Sequence, residues 1–253
     1  MSFFTSPLLD ALDFVVHAFG TRDSYTLRNG EEPFEASMQY PNLLGMLFKH
    51  EKLTSALVER YRNGFVQLKQ IHSSKVLSTQ EIKNNSPNLA DAIVTNEPGF
   101  ILSIETADCL PVLIVDKVLK TVAAVHAGRQ GILKGIIKET INKLRFDYGS
   151  KPCDLMVAIG PGICGNSYEV DYDCIVPFNE SVPESENAFF EQENGKWLLD
   201  LPKIVVKQLL SAGVYKERIG NPGPCTLANS KKFFSYRREG KGVGRQTSTI
   251  LLV

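Results

Sequence analysis

The stretch FILSIETADCLPVLIVDKVLKTVAAVH, residues 100–126, is the most strongly patterned part of this chain. Its apolar runs at residues 100–104, 110–115 and 120–126 are typical of β-strands and follow one another with short links. Short links favour antiparallel or mixed strand pairing. Cys109 and His126 lie at the edges of these runs. This arrangement is typical of strands that deliver side chains to a shared pocket.

On either side of this stretch, strand-like and helix-like segments mix without strict alternation. The apolar spacing predicts further strands at residues 13–19, 64–71, 92–95, 154–160, 233–237 and 247–253. It predicts helices at residues 41–62, 131–146 and 202–212, the last ended by Gly213. The acidic segment 179–197 indicates a solvated loop region with a short helix.

The mixture of segments predicts an α+β fold, with mixed β-sheets flanked by helices. No linker is convincing enough to divide the chain, so we expect residues 1–253 to form a single domain. The sequence does not indicate an oligomeric state.

The composition is that of an ordinary globular protein, with 43% hydrophobic and 22% charged residues. Lys+Arg and Asp+Glu both total 28, and this balance disfavours binding to nucleic acid or to a membrane surface. The five cysteines include no Cys-x-x-Cys pair, which favours a reducing compartment. No signal peptide is recognisable, and no run approaches the roughly 20 apolar residues of a membrane span. We therefore expect a cytoplasmic protein.

His72, Cys109 and His126 are the candidate metal ligands, in a chain that has only four histidines. Two imidazoles and one thiolate are a natural ligand set for a tetrahedral zinc with one position left for water or substrate. Gly128 lets the backbone bend sharply after His126, just before the predicted helix at 131–146. A lone histidine or cysteine is more often structural, and the spacing alone does not establish a metal.

An arginine- and glycine-rich segment near the C-terminus is a candidate anion-binding loop. Arg237 and Arg238 are followed by three glycines and then by Arg245. Glycines beside arginines suit a loop that presents guanidinium groups and backbone donors to phosphate or carboxylate. A charged surface turn is the simpler alternative. Glu169, in Tyr168-Glu169-Val170, either places a carboxylate near the site or belongs to an ordinary strand.

Together with further short motifs, these segments resemble the laccase-domain family of YfiH-type polyphenol oxidases, now regarded as purine nucleoside phosphorylases. The motifs run in order over nearly the whole chain, and the TADC and FSYRR blocks are quite specific in combination. The matching segments are HAFGTR at 17–22, QIH at 70–72, AIVT at 92–95, TADCLPV at 106–112, VHAG at 125–128, AIGP at 158–161, YEV at 168–170, LDL at 199–201, CT at 225–226, and FSYRR at 234–238 with GR at 244–245.

The resemblance implies mixed sheets flanked by helices and a metal site, usually zinc, at the positions matching His72, Cys109 and His126. These three residues would also be the catalytic residues. It implies phosphorolysis of adenosine, inosine, guanosine and methylthioadenosine, with adenosine deamination as a further activity. The partners would then be a small-molecule nucleoside and phosphate. The older family name implied copper and phenol oxidation.

Charge and resemblance together indicate candidate ligands for phosphate: Arg22, Arg237, Arg238 and Arg245. A neighbouring carboxylate, from Asp108 or Glu169, is a candidate to orient a ligand histidine or a ribose hydroxyl.

The sequence departs from the family pattern directly after His126. The family reads His-Ala-Gly-Trp-Arg-Gly, whereas Arg129 and Gln130 stand here at the Trp and Arg positions. The loss of a flat apolar side chain bears on substrate preference. The family also tends to carry an Asn-Arg pair where this chain has His50-Glu51-Lys52, so no role is carried over to that segment.

Three alternatives stay open at the level of sequence. Cys109 could be a nucleophile with His126 as its base, as in a cysteine hydrolase or amidase. Copper could occupy the site for phenol oxidation, although multicopper oxidases need many more histidines than four. A binding module with a structural zinc would need a fourth protein ligand, from His17, His50 or another cysteine.

Overall fold

An antiparallel hairpin formed by β7 (Leu110–Asp116) and β8 (Thr121–Ala127) lies at the centre of the fold. The computed structural model describes residues 3–23, 64–82 and 87–253. The helix predicted at residues 41–62 lies outside these ranges. Asp116 accepts hydrogen bonds from the amides of Val118 and Leu119 at 2.8 and 2.9 Å and so caps the hairpin turn.

The hairpin belongs to a five-stranded sheet, the site sheet, in which β4 and β5 are parallel and the other neighbours are antiparallel. The other strands of the site sheet are β4 (Val76–Ser78), β5 (Ala92–Thr95) and β9 (Leu155–Ile159), in the order β4-β5-β8-β7-β9.

A second five-stranded sheet is also mixed, because β3 runs parallel to β6. Its strands, in spatial order, are β1 (Phe3–Phe4), β2 (Val15–Gly20), β13 (Gln246–Leu252), β6 (Ile101–Thr106) and β3 (Phe65–Gln67). A small antiparallel sheet contains β10 (Glu169–Val170), β12 (Trp197–Leu199) and β11 (Phe189–Glu191).

The helices of the described residues are α1 (Pro7–Asp10), α2 (Arg129–Leu133), α3 (Ile136–Tyr148), α4 (Val176–Ser181), α5 (Leu201–Ser211) and α6 (Tyr236–Glu239). Helices α2 to α5 pack on the face of the site sheet that is turned away from the second sheet, whereas Leu9 of α1 lies in the core between the two large sheets. The buried faces of α3 and α5 join one hydrophobic core with the site sheet. The prediction of mixed sheets flanked by helices is therefore confirmed.

Alternation along β7 explains why this segment is apolar without interruption. Val112 and Ile114 face the core shared with the helices, whereas Leu113 and Val115 face a second core between the two large sheets. Because successive side chains point to opposite faces, a strand between two packed layers needs apolar residues at every position. The hairpin is thus a rigid support for Cys109, just before β7, and for His126, near the end of β8.

Several segments differ from the sequence predictions. Residues 233–237 do not form a strand, because Ser235 caps α6 by accepting a hydrogen bond from the Arg238 amide. The predicted helix at 131–146 is divided into α2 and α3 at Gly135, whose φ of 83° is left-handed. The acidic segment 179–197 contains β11 and the start of β12 as well as the end of α4.

Among residues 3–23, 64–82 and 87–253, no helix combines the length and apolar character that a membrane crossing requires.

Candidate metal centre

The register of the site sheet brings Cys109 and His126 together. Pro111 pairs with His126 across the hairpin, so Cys109, just before β7, lies beside the end of β8. On the other side of β8, the His126 amide donates to the main-chain oxygen of Asp91 at 2.7 Å. Asp91 immediately precedes β5, so three consecutive neighbours in the sheet contribute to one end of the site.

His72 comes from the loop between β3 and β4 and has a left-handed backbone, with φ at 55°. This conformation is uncommon for a residue with a side chain, and here the Asp91 carboxylate stabilises it. The carboxylate accepts from the amides of His72 at 2.9 Å and Ser73 at 2.6 Å, and from the Ser73 hydroxyl at 2.7 Å. A buried carboxylate thereby fixes the loop that presents His72.

The side chains of His72, Cys109 and His126 converge. Potential ligand atoms of the three residues all lie within 4.8 Å of one another. Cys109 Sγ is 3.9 Å from His72 Nε2, and the two imidazole rings meet edge to face with centroids 4.8 Å apart. A Cβ atom at Gly128 would lie 2.9 Å from Cys109 Sγ, so only glycine leaves room for this arrangement. The three residues predicted as metal ligands are therefore neighbours in the fold.

Asp91 also determines which nitrogen of His126 faces the other two residues. The carboxylate lies 2.8 Å from His126 Nδ1, and both side chains are buried. Because an ionised carboxylate can only accept, Nδ1 carries the proton and Nε2 is left with a lone pair in the neutral ring. Neutral Nε2 is the form of histidine that binds a metal ion.

The charges of Cys109, His126 and Asp91 shift one another's pKa values. Burial alone would raise the pKa of the Cys109 thiol, but the His126 charge and hydrogen bonds from both histidines lower it to about 6. Burial would lower the pKa of His126, but the Cys109 thiolate and Asp91 raise it to about 9. For Asp91, burial opposes ionisation, yet hydrogen bonds from His126 and Ser73 lower its pKa to about 2. The protein therefore favours a thiolate at Cys109.

The cluster lies in the wall of a cavity of about 960 Å³. This volume is within the range of pockets that bind small molecules. The lining includes aromatic and apolar side chains as well as cationic and acidic ones. The other lining residues are Leu68, Lys69, Gln70, Glu105, Thr106, Ala107, Asp108, Arg129, Gln130, Ile163, Tyr168, Leu201, Tyr236, Arg237 and Arg245.

The four arginines predicted to bind phosphate have two different placements. Arg237 and Arg245 line the cavity. Arg22 and Arg238 are absent from its lining; Arg22 donates to the Phe233 carbonyl at 3.0 Å, and Arg238 does so at 2.7 Å. Both also form an ion pair with Glu239. Arg22 and Arg238 hold the C-terminal loop together, and their binding to phosphate stays a prediction.

Asp108 holds this loop against the site and does not orient a ligand histidine. Its carboxylate accepts from the hydroxyls of Thr226 at 2.6 Å and Ser235 at 3.0 Å, and from the Arg237 amide at 2.7 Å. The side chain of Glu169 is exposed and accepts from Asn194 at 3.1 Å. The carboxylate that contacts His126 and the His72 loop is therefore Asp91 and neither Asp108 nor Glu169, whereas a role of Asp108 or Glu169 toward a ribose hydroxyl stays a prediction.

His17, considered as a fourth ligand, is engaged elsewhere. Its Nε2 accepts from the Ser6 amide at 2.8 Å, and Nδ1 lies 4.0 Å from Asp10. Within the described ranges, the group of possible metal ligands includes only His72, Cys109 and His126. His50 lies outside those ranges.

Glu105 and Arg129 are two further cavity residues that the sequence did not single out as site residues. Burial raises the pKa of the Glu105 carboxyl, although the nearby Arg245 charge opposes this shift. Gln70 fixes the main chain at Glu105, donating to its carbonyl and accepting from its amide, both at 2.8 Å. Arg129 begins α2 directly after the site, so its guanidinium adds a third arginine to the cavity.

Comparison with known proteins agrees with the motifs. The family model described as "Multi-copper polyphenol oxidoreductase laccase" matches residues 49–253. The purine nucleoside phosphorylase YfiH of Shigella flexneri is 35% identical over 188 residues, which cover 74% of each chain. The purine nucleoside phosphorylase of Haemophilus influenzae is 35% identical over 186 residues, covering 72% of each chain.

Solved structures with the same fold cover nearly the whole chain. The Neisseria meningitidis protein NMB0706 superposes with a TM-score of 0.78 at 29% identity, over 100% of this chain and 99% of that one. YlmD from Geobacillus stearothermophilus superposes with a TM-score of 0.81 at 22% identity, over 100% of this chain and 96% of that one.

Proposed function

This chain belongs to the multi-copper polyphenol oxidoreductase laccase family, and on that premise we propose that it is a zinc-dependent purine nucleoside phosphorylase. The observation that carries the proposal is the convergence of His72, Cys109 and His126 at a cavity that three arginines also line. Relatives that cover most of the chain bear the name purine nucleoside phosphorylase. The same observations make it an enzyme, and its cysteine usage favours the cytoplasm.

The donor set fits a zinc ion. One thiolate and two imidazoles leave a tetrahedral ion with one open position, as in catalytic rather than structural zinc sites. His126 Nε2 is available because Nδ1 is committed to Asp91 at 2.8 Å. A bound zinc ion would supply a Lewis acid at the cavity wall. Four histidines in the whole sequence are too few for a multicopper oxidase, so zinc is the better proposal than copper.

The cavity offers separate groups for each part of a nucleoside and for phosphate. Arg129, Arg237 and Arg245 carry the positive charge that phosphate binding needs. Tyr168 and Tyr236 offer aromatic faces against which a purine could stack. Phosphate held by these arginines could attack the anomeric carbon of the sugar as the bond between that carbon and the base breaks.

Glu105 is the proposed proton donor to the leaving purine. Phosphorolysis expels a base that becomes a better leaving group when a ring nitrogen is protonated. A carboxyl whose pKa burial has raised keeps its proton at higher pH than an exposed one. The expected substrates are adenosine, inosine, guanosine and methylthioadenosine, with adenosine deamination as a further activity. The replacement of the family's Trp-Arg by Arg129-Gln130 bears on the preference among them.

The proposal is tested by incubating the metal-loaded protein with adenosine, with and without phosphate, and identifying products by mass. Phosphate-dependent release of adenine and ribose 1-phosphate is the expected result. Inosine formed without phosphate would indicate deamination. The proposed function would be overturned if adenosine, inosine, guanosine and methylthioadenosine all gave neither phosphorolysis nor deamination.

A cysteine-dependent hydrolase is the second candidate, because the same geometry suits it. In the metal-free protein, the lowered pKa of Cys109 and the raised pKa of His126 favour a thiolate–imidazolium pair. Stoichiometric alkylation of Cys109 by iodoacetamide in a metal-free protein that is active would favour the hydrolase. Loss of activity on metal removal, restored by zinc, would favour the phosphorylase.

A further inference from the structure

Two cysteines outside the metal cluster, Cys164 and Cys225, lie against each other. The Cys164 amide donates to Cys225 Sγ at 3.4 Å. A parallel β-bridge pairs Gly162 with Cys225, and the Thr226 amide donates to the Gly162 carbonyl at 2.9 Å. Both cysteines are free and half-buried. The bridge and the contact from amide to sulfur thus hold the two cysteines side by side.

The two sulfurs have different hydrogen-bond partners. Cys225 Sγ accepts from the Cys164 amide at 3.4 Å, whereas the Cys164 thiol donates to Asn166 Oδ1 at 2.7 Å and to Ser167 Oγ at 3.2 Å. Burial opposes ionisation of Cys225, but hydrogen bonds from Cys164 and from the Ala228 amide lower the pKa of its thiol. Burial and the neighbouring Cys225 raise the pKa of Cys164. One sulfur is therefore favoured as the thiolate nucleophile and the other as the thiol that resolves the oxidised product. Cys164, whose amide contacts Cys225 Sγ, lines a separate cavity of about 450 Å³, through which a small oxidant can approach the pair.

We propose that Cys164 and Cys225 form a peroxide-reactive thiol pair that closes to an intramolecular disulfide. The Cys225 thiolate attacks one oxygen of a hydroperoxide, the O–O bond breaks, and water or an alcohol leaves after protonation. The Cys164 sulfur then attacks the resulting sulfenic acid, its proton leaves with the hydroxyl as water, and the S–S bond forms. The two thiols lose two electrons in total and the peroxide gains them.

The disulfide would act on the wall of the main cavity. Ile163, next to Cys164, donates its amide to the Asp108 carbonyl at 2.8 Å. Thr226, next to Cys225, donates its hydroxyl to the Asp108 carboxylate at 2.6 Å. Each cysteine is thus next in sequence to a residue that donates a hydrogen bond to Asp108. Asp108 in turn directly precedes Cys109. A link between positions 61 apart in sequence would fix this wall and stabilise the fold.

The test is to treat the protein as isolated, with its metal retained, with hydrogen peroxide and to map the product by mass spectrometry. We expect the loss of two hydrogens and one cross-linked peptide that contains Cys164 and Cys225. The melting temperature should rise by roughly 5–15 °C, and dithiothreitol should reverse both changes. Sulfinic or sulfonic acid at Cys225 without the cross-link would overturn the proposal, as would a cross-link that involves Cys109.

Single-thiol variants provide the matched comparison. Cys164→Ser and Cys225→Ser should abolish the cross-link and the rise in melting temperature, whereas Cys153→Ser should keep both. A rise that persists in Cys164→Ser would contradict the pairing. Because the wild-type peptide map does not depend on any variant folding, it decides the question even if one substitution destabilises the protein.

Discussion

His17 and His126 are both buried strand residues, one on each of the two large sheets, yet their pKa values shift in opposite directions. Their exposed fractions are 4% and 3%, so burial does not distinguish them. Burial lowers the pKa of His17 to about 4, against a weaker opposing attraction from Asp10. Burial also acts on His126, but Cys109 and Asp91 overcome it and raise the pKa to about 9.

The partners explain the difference. His17 Nε2 accepts a hydrogen bond from an amide, which only the unprotonated nitrogen can do, and the Asp10 carboxylate is half exposed. His126 faces a fully buried carboxylate and a thiol. Burial therefore lowers the pKa of His17, whose nearest partner donates a hydrogen bond to it. The pKa of His126 is raised despite burial, because its partners carry negative charge. The following predictions remove the two partners of His126 one at a time, each with a control, and then His17 itself.

The largest expected effect comes from Cys109→Ala, which removes the negative partner of His126. Two imidazoles alone hold zinc weakly, so the variant should lose bound zinc and nucleoside turnover together. Removal of a neighbour that merely orients a ligand typically costs 10–100-fold, so loss of a ligand itself should lower kcat/KM by more than about 100-fold. Zinc content by elemental analysis and phosphorolysis of adenosine provide the two measurements.

Cys153→Ala is the control for this substitution, because Cys153 is a half-buried cysteine outside the cavity lining. It should keep both zinc and turnover. A metal-free Cys109→Ala protein that still converts adenosine would show that the activity does not depend on the group of His72, Cys109 and His126.

The next largest effect is expected from Asp91→Asn. The amide would present a donor where His126 and the His72 loop also donate, so both ligands would lose their orientation. Zinc affinity, measured by competition with a chelator, should fall about 10–100-fold. The free energy of unfolding should fall by about 3–5 kcal/mol, because one partner of a buried ion pair is removed.

Asp116→Asn separates positioning from general destabilisation. Asp116 is a buried carboxylate of the same sheet that caps the far turn of the β7–β8 hairpin. Its substitution should lower stability while leaving zinc affinity within about twofold of wild type. If both variants changed zinc affinity equally, Asp91 would have no special role in positioning His72 and His126.

The sequence sufficed to find the candidate ligands but not what orients them. His72, Cys109 and His126 occur at the ends of apolar runs, and this local pattern can be recognised from the sequence alone. Asp91 precedes a short apolar run in the same way, but a carboxylate in that position is usually a solvated turn residue. Its role depends on β5 pairing with β8, a contact between residues 35 apart in sequence.

The fold shows the same division between local and distant causes. The hairpin at 110–127 was predictable, because its apolar runs have strand length and a short link. The segment at 233–237 is apolar and aromatic enough to predict a strand, yet Ser235 donates to Asp108, 127 residues earlier in the chain. The hydrogen bond to Asp108 and the cap of α6 keep the segment from forming a strand. The periodicity of the local sequence does not indicate either interaction.

The smallest of these effects concerns the structural histidine. Below its ordinary pKa of 6.5, His17 in the unfolded chain binds a proton that the native protein accepts only near pH 4. The unfolded state therefore binds more protons, and the free energy of unfolding falls as the pH falls through this window. Each pH unit within it costs about 1.4 kcal/mol, so His17 should destabilise the protein by up to about 2 kcal/mol between pH 6.5 and 5.

His17→Gln removes this titration while keeping an acceptor for the Ser6 amide. Urea unfolding at a series of pH values should give a flatter curve for the variant than for wild type, whatever the variant's stability at neutral pH. The comparison of slopes isolates His17, because zinc loss and carboxylate protonation affect both proteins alike. Parallel curves would mean that the native protein protonates His17 as easily as the unfolded chain does, and the contrast with His126 would then rest on His126 alone.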